Sequence, residues 1–177
     1  MAAYHDDEWG QQLTDDVGLF EMLTLEGFQA GLSWLIVLRK RPAFRSAFKG
    51  FDPHLVGRFD DRDRERLLAD AGIVRNRAKV DATIGNARAF IELVAEYGSF
   101  HAYLTEFVPP PPTRLPLTAT AGDLPGTTPA ADAISKDLKR RGFRFVGSTI
   151  VYSFMQSVGL VDDHLPGCFR YRPPDDA

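Results

Sequence analysis

Apolar residues recur at spacings of three and four along nearly the whole chain, and no run alternates apolar with polar residues. That period belongs to helices, whereas strand side chains alternate from face to face. It predicts an all-α fold with few or no strands. Caps and breakers then divide the chain. Thr14 or Asp15 is placed to cap a helix through VGLFEMLTLEGFQAGL, in which Leu19, Phe20, Leu23 and Phe28 form a core face. Ser33 is placed to cap WLIVLRKR, and Pro42 to start or kink the next helix, PAFRSAF. Asp52-Pro53 opens a short helix. Asp61 is placed to cap DRERLLADA, which stops at Gly72. Asn76 opens RAKVDATIGNARAFIELVAEYG, Ser99 opens FHAYLTEF, and Thr128-Pro129 restarts helix as far as Gly142. VGSTIVYSFMQSVGLV is apolar enough for a fully buried central helix. VPPPPTRLPLTATAGDLPG breaks the pattern. Its prolines favour an extended surface crossover over about residues 108–127. The tail RYRPPDDA is expected to be irregular. A length of 177 residues suits a single domain, residues 1–177, of eight to ten short helices.

Several classes of protein are excluded by what the sequence lacks. No apolar run approaches the roughly 20 residues that span a bilayer, so no membrane partner is expected. The opening residues MAAYHDDEWG are acidic and carry no apolar stretch, and the lone Cys168 gives no disulfide framework. Both fit a cytoplasmic protein. A net charge of −3 argues against a histone-like polyanion binder. The basic residues are nevertheless clustered, in LRKRPAFR, RNRAK and KDLKRRGFR, and a local positive face can grip phosphates.

Three local features carry chemistry. In EGFQAGLSW, Glu26 is an acid among apolar, small and aromatic residues. Glutamate is rarely buried alone, so either Glu26 faces water or a cationic or hydrogen-bond-donating group comes to meet it. In LLADAGIVRNRAKV, within a hairpin at about residues 61–80, Arg75, Arg77 and Lys79 fall in the turn and the first turn of the following helix. Free N–H groups and cationic side chains together would seat a phosphate, as in a helix–hairpin–helix clamp on DNA. A plain helical hairpin with solvated arginines is the alternative. Finally, His5 lies near the start of the chain, and DHLPGC places His164 and Cys168 four apart near its end. Imidazole and thiolate are zinc ligands, but a closed structural site normally takes four.

YHDDEWG, LFEMLTLEGFQAGLSW, AGIVRNRAKVDATIGNARA and KDLKRRGFRFVGSTIVYSFMQSVGLVDDH, with the following GC, resemble the type I DNA-3-methyladenine glycosylases over about residues 4 to 171. The resemblance implies a two-lobed all-helical fold with a helix–hairpin–helix clamp. It implies a monofunctional repair enzyme that flips 3-methyladenine out of alkylated double-stranded DNA, hydrolyses its N-glycosidic bond and leaves an abasic site. Glu26 matches the family's catalytic glutamate, and Trp34 its base-stacking tryptophan. Tyr4 and Trp9 match pocket aromatics, and Gly31 and Leu32 match the segment that approaches the gap in the base stack. The family's zinc ligands match at His5, His164 and Cys168, while its N-terminal Cys has no counterpart in these 177 residues. No cofactor is expected for catalysis, and a monomer is expected. Phe28 stands where the family usually has a polar residue. A non-catalytic lesion-binding module with the same fold is the competing expectation.

Overall fold

The structure, a computed structural model, describes residues 1–174; of the tail expected to be irregular, residues 175–177 lie outside the described residues. The helices are α1 (Ala2–Asp7), α2 (Asp16–Gln29), α3 (Trp34–Ala47), α4 (Pro53–Val56), α5 (Asp61–Ala69), α6 (Arg77–Tyr97), α7 (Phe100–Thr105), α8 (Pro129–Arg140) and α9 (Ser148–Ser157). The only sheet among the described residues pairs β1 (Thr113–Arg114) in parallel with β2 (Val161–Asp162), pinning the proline-rich crossover to the segment after α9.

Side-chain chemistry explains most boundaries. Asp15, not Thr14, caps α2 by accepting from the Gly18 N–H at 2.7 Å. Asn76, Ser99 and Thr128 cap α6, α7 and α8 by accepting from backbone N–H groups one turn on. Ser33 occupies the cap position of α3 without a side-chain bond. Four boundaries differ from expectation. Asp60 rather than Asp61 caps α5, because its carboxylate accepts from Arg62 and Asp63 while Asp63 returns a bond to the Asp60 N–H. α5 stops at Ala69, before Gly72, where the Asp70 side chain accepts from the Gly72 N–H at 2.7 Å. Pro42 does not break α3; buried Val37, Phe44 and Ala47 hold the helix to the core across the missing N–H. α9 is ten residues long, shorter than the apolar run around it.

The helix enclosed on every side is α2, whose residues from Leu19 to Phe28 are all buried. An expected single core face is thus a helix covered all round. Two aromatic clusters meet on it. Phe28 packs edge-on against Phe44 at 4.7 Å between centroids and belongs to a cluster with Phe48, Phe51 and Phe59. Phe20 packs on Phe90 at 5.2 Å and through it reaches Phe100 and Phe154. The first cluster joins α2 to α3 and the segment after it; the second joins α2 to α6, α7 and α9. Two lobes therefore share one central rod. Phe28, the position at which a polar residue is usual in the family, is here fully apolar core.

Phe28→Ala should cost about 3–5 kcal/mol of unfolding free energy in denaturant titrations, the range for a fully buried aromatic that leaves a cavity. A loss below 1 kcal/mol would show that this cluster does not hold the lobe.

Candidate active site

α2 carries two buried acids, and the fold treats them differently. Glu21 accepts from Arg41 Nε at 2.5 Å and from Arg45 Nε at 2.9 Å, and Arg41 also reaches Glu8. Glu26 is 4% exposed and has no ion pair or hydrogen bond among the described residues. Burial alone pushes its carboxyl up to about 8. Its oxygens face a cavity of about 290 Å³ whose walls include Tyr4, Trp9, Gln29, Trp34, Ser153 and Gln156. Three of these residues are aromatic, and the Tyr4 and Trp34 rings pack together at 5.5 Å between centroids, tilted by 58°. The Tyr4 hydroxyl is held un-ionised by burial and by the nearby Glu26.

Each wall comes from a different element. Glu26 and Gln29 end α2. Gly31, at φ +78°, turns the chain through exposed Leu32 so that Trp34 begins α3. Tyr4 and Trp9 come from α1 and the residues after it. Ser153 and Gln156 come from α9, three residues apart on one face. The Gln156 amide donates to Asp163 at 2.7 Å, and Asp163 also accepts from the Tyr152 hydroxyl. That bond turns the Gln156 carbonyl away from Asp163. Sequence reasoning missed Gln29, Ser153 and Gln156; polar residues breaking the apolar STIVYSFMQS were the available signal.

The expected slot residues Glu26, Tyr4, Trp9 and Trp34 are thus brought together, with Gly31 and Leu32 in the turn at its mouth. Arg75 and Arg77 are exposed at the start of α6, as a phosphate grip needs. Lys79 is not with them. It is buried, and its ammonium donates to the Phe28 and Ala30 carbonyls at 2.8 and 2.6 Å, so the expectation that it touches DNA is corrected. A side chain spent on satisfying the end of α2 cannot also reach an external phosphate.

His5, His164 and Cys168 converge, their ligand atoms all within 4.8 Å of one another. Each imidazole is oriented by an acid, His5 Nδ1 by Asp6 at 2.8 Å and His164 Nδ1 by Asp162 at 2.7 Å. The Nε2 atoms are therefore the ones turned inward. His164 Nε2 is buried with no partner, and His5 Nε2 lies 3.5 Å from Cys168 Sγ. Tetrahedral zinc with ordinary bond lengths holds such a pair about 3.6 Å apart, so the donor set fits that ion. The cluster backs directly onto the slot, since the Trp9 ring packs on His164 at 4.7 Å.

An all-helical body with a cavity lined by Tyr4, Trp9 and Trp34 and by an uncompensated acid has the architecture of a helical DNA glycosylase. The chain belongs to the methyladenine glycosylase family, whose model matches residues 1–171. It is 50% identical over 169 residues to DNA-3-methyladenine glycosylase 1 of Escherichia coli, covering 96% of this chain and 90% of that one. It is 42% identical over 168 residues to the DNA-3-methyladenine glycosylase of Haemophilus influenzae, covering 93% and 89%. The structure superposes with a TM-score of 0.93 on the Staphylococcus aureus 3-methyladenine DNA glycosylase I solved to explain 3-methyladenine recognition, at 37% identity and covering 98% and 92% of the two chains.

Because the folded-state value for Glu26 is raised, folding takes up a proton between the ordinary carboxylate range and about 8. Stability is then greatest below the unfolded value and falls as pH rises through the folded one. Glu26→Gln removes that dependence. Its unfolding free energy relative to wild type should improve from pH 5 to pH 9 by a few kcal/mol in denaturant titrations. A difference that stays constant with pH would mean that Glu26 is not buried without compensation.

Proposed function

We infer that this chain excises 3-methyladenine from alkylated double-stranded DNA, with Glu26 as the group that selects the damaged base. The observation that carries this reading is the unpaired carboxyl at the end of an aromatic slot. Methylation at N3 makes the adenine ring of the nucleotide cationic, and such a base leaves as a neutral molecule. No acid is needed to protonate it. The protein has to extract the base, hold it and tolerate an electron-poor sugar.

Flipping costs a few kcal/mol, less for a damaged base. Stacking on Trp34 and Tyr4 returns roughly 1–3 kcal/mol per base, with cation–π attraction added for a charged ring. Glu26 supplies the rest. A cationic ring arriving beside it favours the carboxylate, and charge-assisted hydrogen bonds to the purine edge contribute about 1.5–3 kcal/mol each. Neutral adenine gives no such attraction and still strips water from the acid. Exposed Leu32 is placed to enter the gap that the flipped nucleotide leaves. Arg75 and Arg77, at the N-terminus of α6, are placed to hold the phosphate backbone.

Zinc belongs to the same reading. His5, His164 and Cys168 would hold it, and its role there would be structural, tying α1 to the segment after β2 behind Trp9. The residues in the slot need no metal for the steps above.

Wild-type protein should release free 3-methyladenine from methylated duplex DNA, followed by chromatography of the released base. Folded Glu26→Gln should do so at least 100-fold more slowly; an unchanged rate would remove Glu26 from the mechanism. Binding without release by the wild type would make the chain a lesion-binding module. Elemental analysis of the purified protein should find one zinc per chain, and a strong chelator should lower the melting temperature of wild type but not of His164→Ala. Protein that is metal-free when prepared in zinc and indifferent to chelator would exclude the metal site.

A further inference from the structure

Lys79 stands third in the basic run with Arg75 and Arg77, yet it is 7% exposed where they are open to solvent. Its ammonium lies on the last turn of α2, bonded to the Phe28 and Ala30 carbonyls, with the Phe145 ring 6.0 Å away. The final carbonyls of a helix have no partner inside it and carry partial negative charge, so a cation there satisfies both needs. The backbone N–H of the same residue bonds the Asn76 cap of α6 at 3.1 Å. One residue therefore joins the end of α2 to the start of α6. A second lysine makes the reciprocal tie. Lys40 of α3 donates to the Ala71 and Gly72 carbonyls, at 2.8 and 3.2 Å, in the turn before Arg75.

These bonds bracket the turn at residues 30–33, which carries Gly31 and Leu32 and sets the separation of Glu26 on α2 from Trp34 on α3. They also fasten that turn to the hairpin that carries Arg75 and Arg77. We propose that Lys79 is a positioning residue: it touches no DNA, but locks the turn between Glu26 and Trp34 to the first turn of α6, so that a backbone held by the hairpin presents its nucleotide in register with the slot. This rests on the reading of the slot as the base site. Misplacement by about 1 Å can cost some 10²-fold in rate, which sets the scale expected.

The test separates rate from affinity. At saturating methylated duplex, Lys79→Met should lower the single-turnover rate of base release by about 10- to 100-fold. The dependence of DNA affinity on salt should stay as in wild type, and Lys79→Arg should recover most of the rate. A Lys79→Met protein with unchanged saturating rate, weaker binding and a salt slope smaller by about one would overturn the proposal, because that is the signature of a lost phosphate contact. Amine acylation of the wild type, mapped by mass spectrometry, gives a second measurement that no variant's folding affects. Lys79 should stay unlabelled both free and on DNA. Labelling when free and protection on DNA would equally overturn it. Absence of base release by the wild type would fall on the slot reading, and the labelling result would still decide whether Lys79 meets DNA.

Discussion

The enclosure of α2 sets the terms for everything around it. From Leu19 to Phe28 no side chain of this helix reaches open solvent, and two of those side chains are acids. Taking a carboxylate out of water is expensive unless a cation or several donors replace the water. At Glu21 the fold replaces it, with Arg41 and Arg45 from α3. At Glu26, little more than one turn further along, it supplies nothing, and the acid responds by keeping its proton. The aromatic clusters at Phe20 and Phe28 hold the rod in place strongly enough for that cost to be borne. The slot exists because α2 is too well packed to turn Glu26 outward.

The part of the slot wall that α1 supplies has weaker local support. α1 is six residues long and has no side-chain cap, and a helix of that length has little stability by itself. What holds Tyr4 and Trp9 at the slot comes from the far end of the chain. His5 meets Cys168 and His164, Trp9 packs on His164, and Arg170 bonds the Asp6 carbonyl. Gly10, at φ +74°, lets the backbone pass so close to the His164 ring that a Cβ would lie 2.7 Å from it. The aromatic geometry of the slot is thus a consequence of long-range closure between α1 and the segment after β2.

Helix positions and Glu26 were legible in the sequence because both depend on local pattern: the 3–4 period, cap residues, and an acid where an acid is costly. Tyr4, Trp9 and Trp34 were expected in the slot only through the resemblance to the family. What was not legible depends on burial. Pro42 breaks a helix in isolation, and only the packing of Phe44 and Ala47 shows why it does not here. Leu19, Phe20, Leu23 and Phe28 describe one face, while the polar Glu21, Thr24 and Glu26 between them conceal that the other faces are covered too. Lys79 is the clearest instance. In one dimension it is the third cation of a basic run; in three, α6 turns its side chain against the open end of α2, and the neighbour that decides its role is 51 residues away. Ser153 and Gln156 reach the slot for the same reason, through the packing of α9 on α2.

On the proposed reading, the same desolvation that costs stability at Glu26 is also what lets the slot discriminate. With a carboxyl value of about 8, ionising Glu26 at pH 7 costs only on the order of 1–2 kcal/mol. One charge-assisted hydrogen bond to a cationic ring offsets that amount. A neutral purine brings no charge to offset it and meets an un-ionised acid in an apolar recess. A carboxylate already paired, like Glu21, would have its charge satisfied before any base arrived, and the difference between the two ligands would shrink. An acid left unpaired and close to its own titration point gives a cation the largest advantage for the smallest cost. Arg41 and Arg45 satisfy Glu21, and among the described residues no arginine pairs with Glu26.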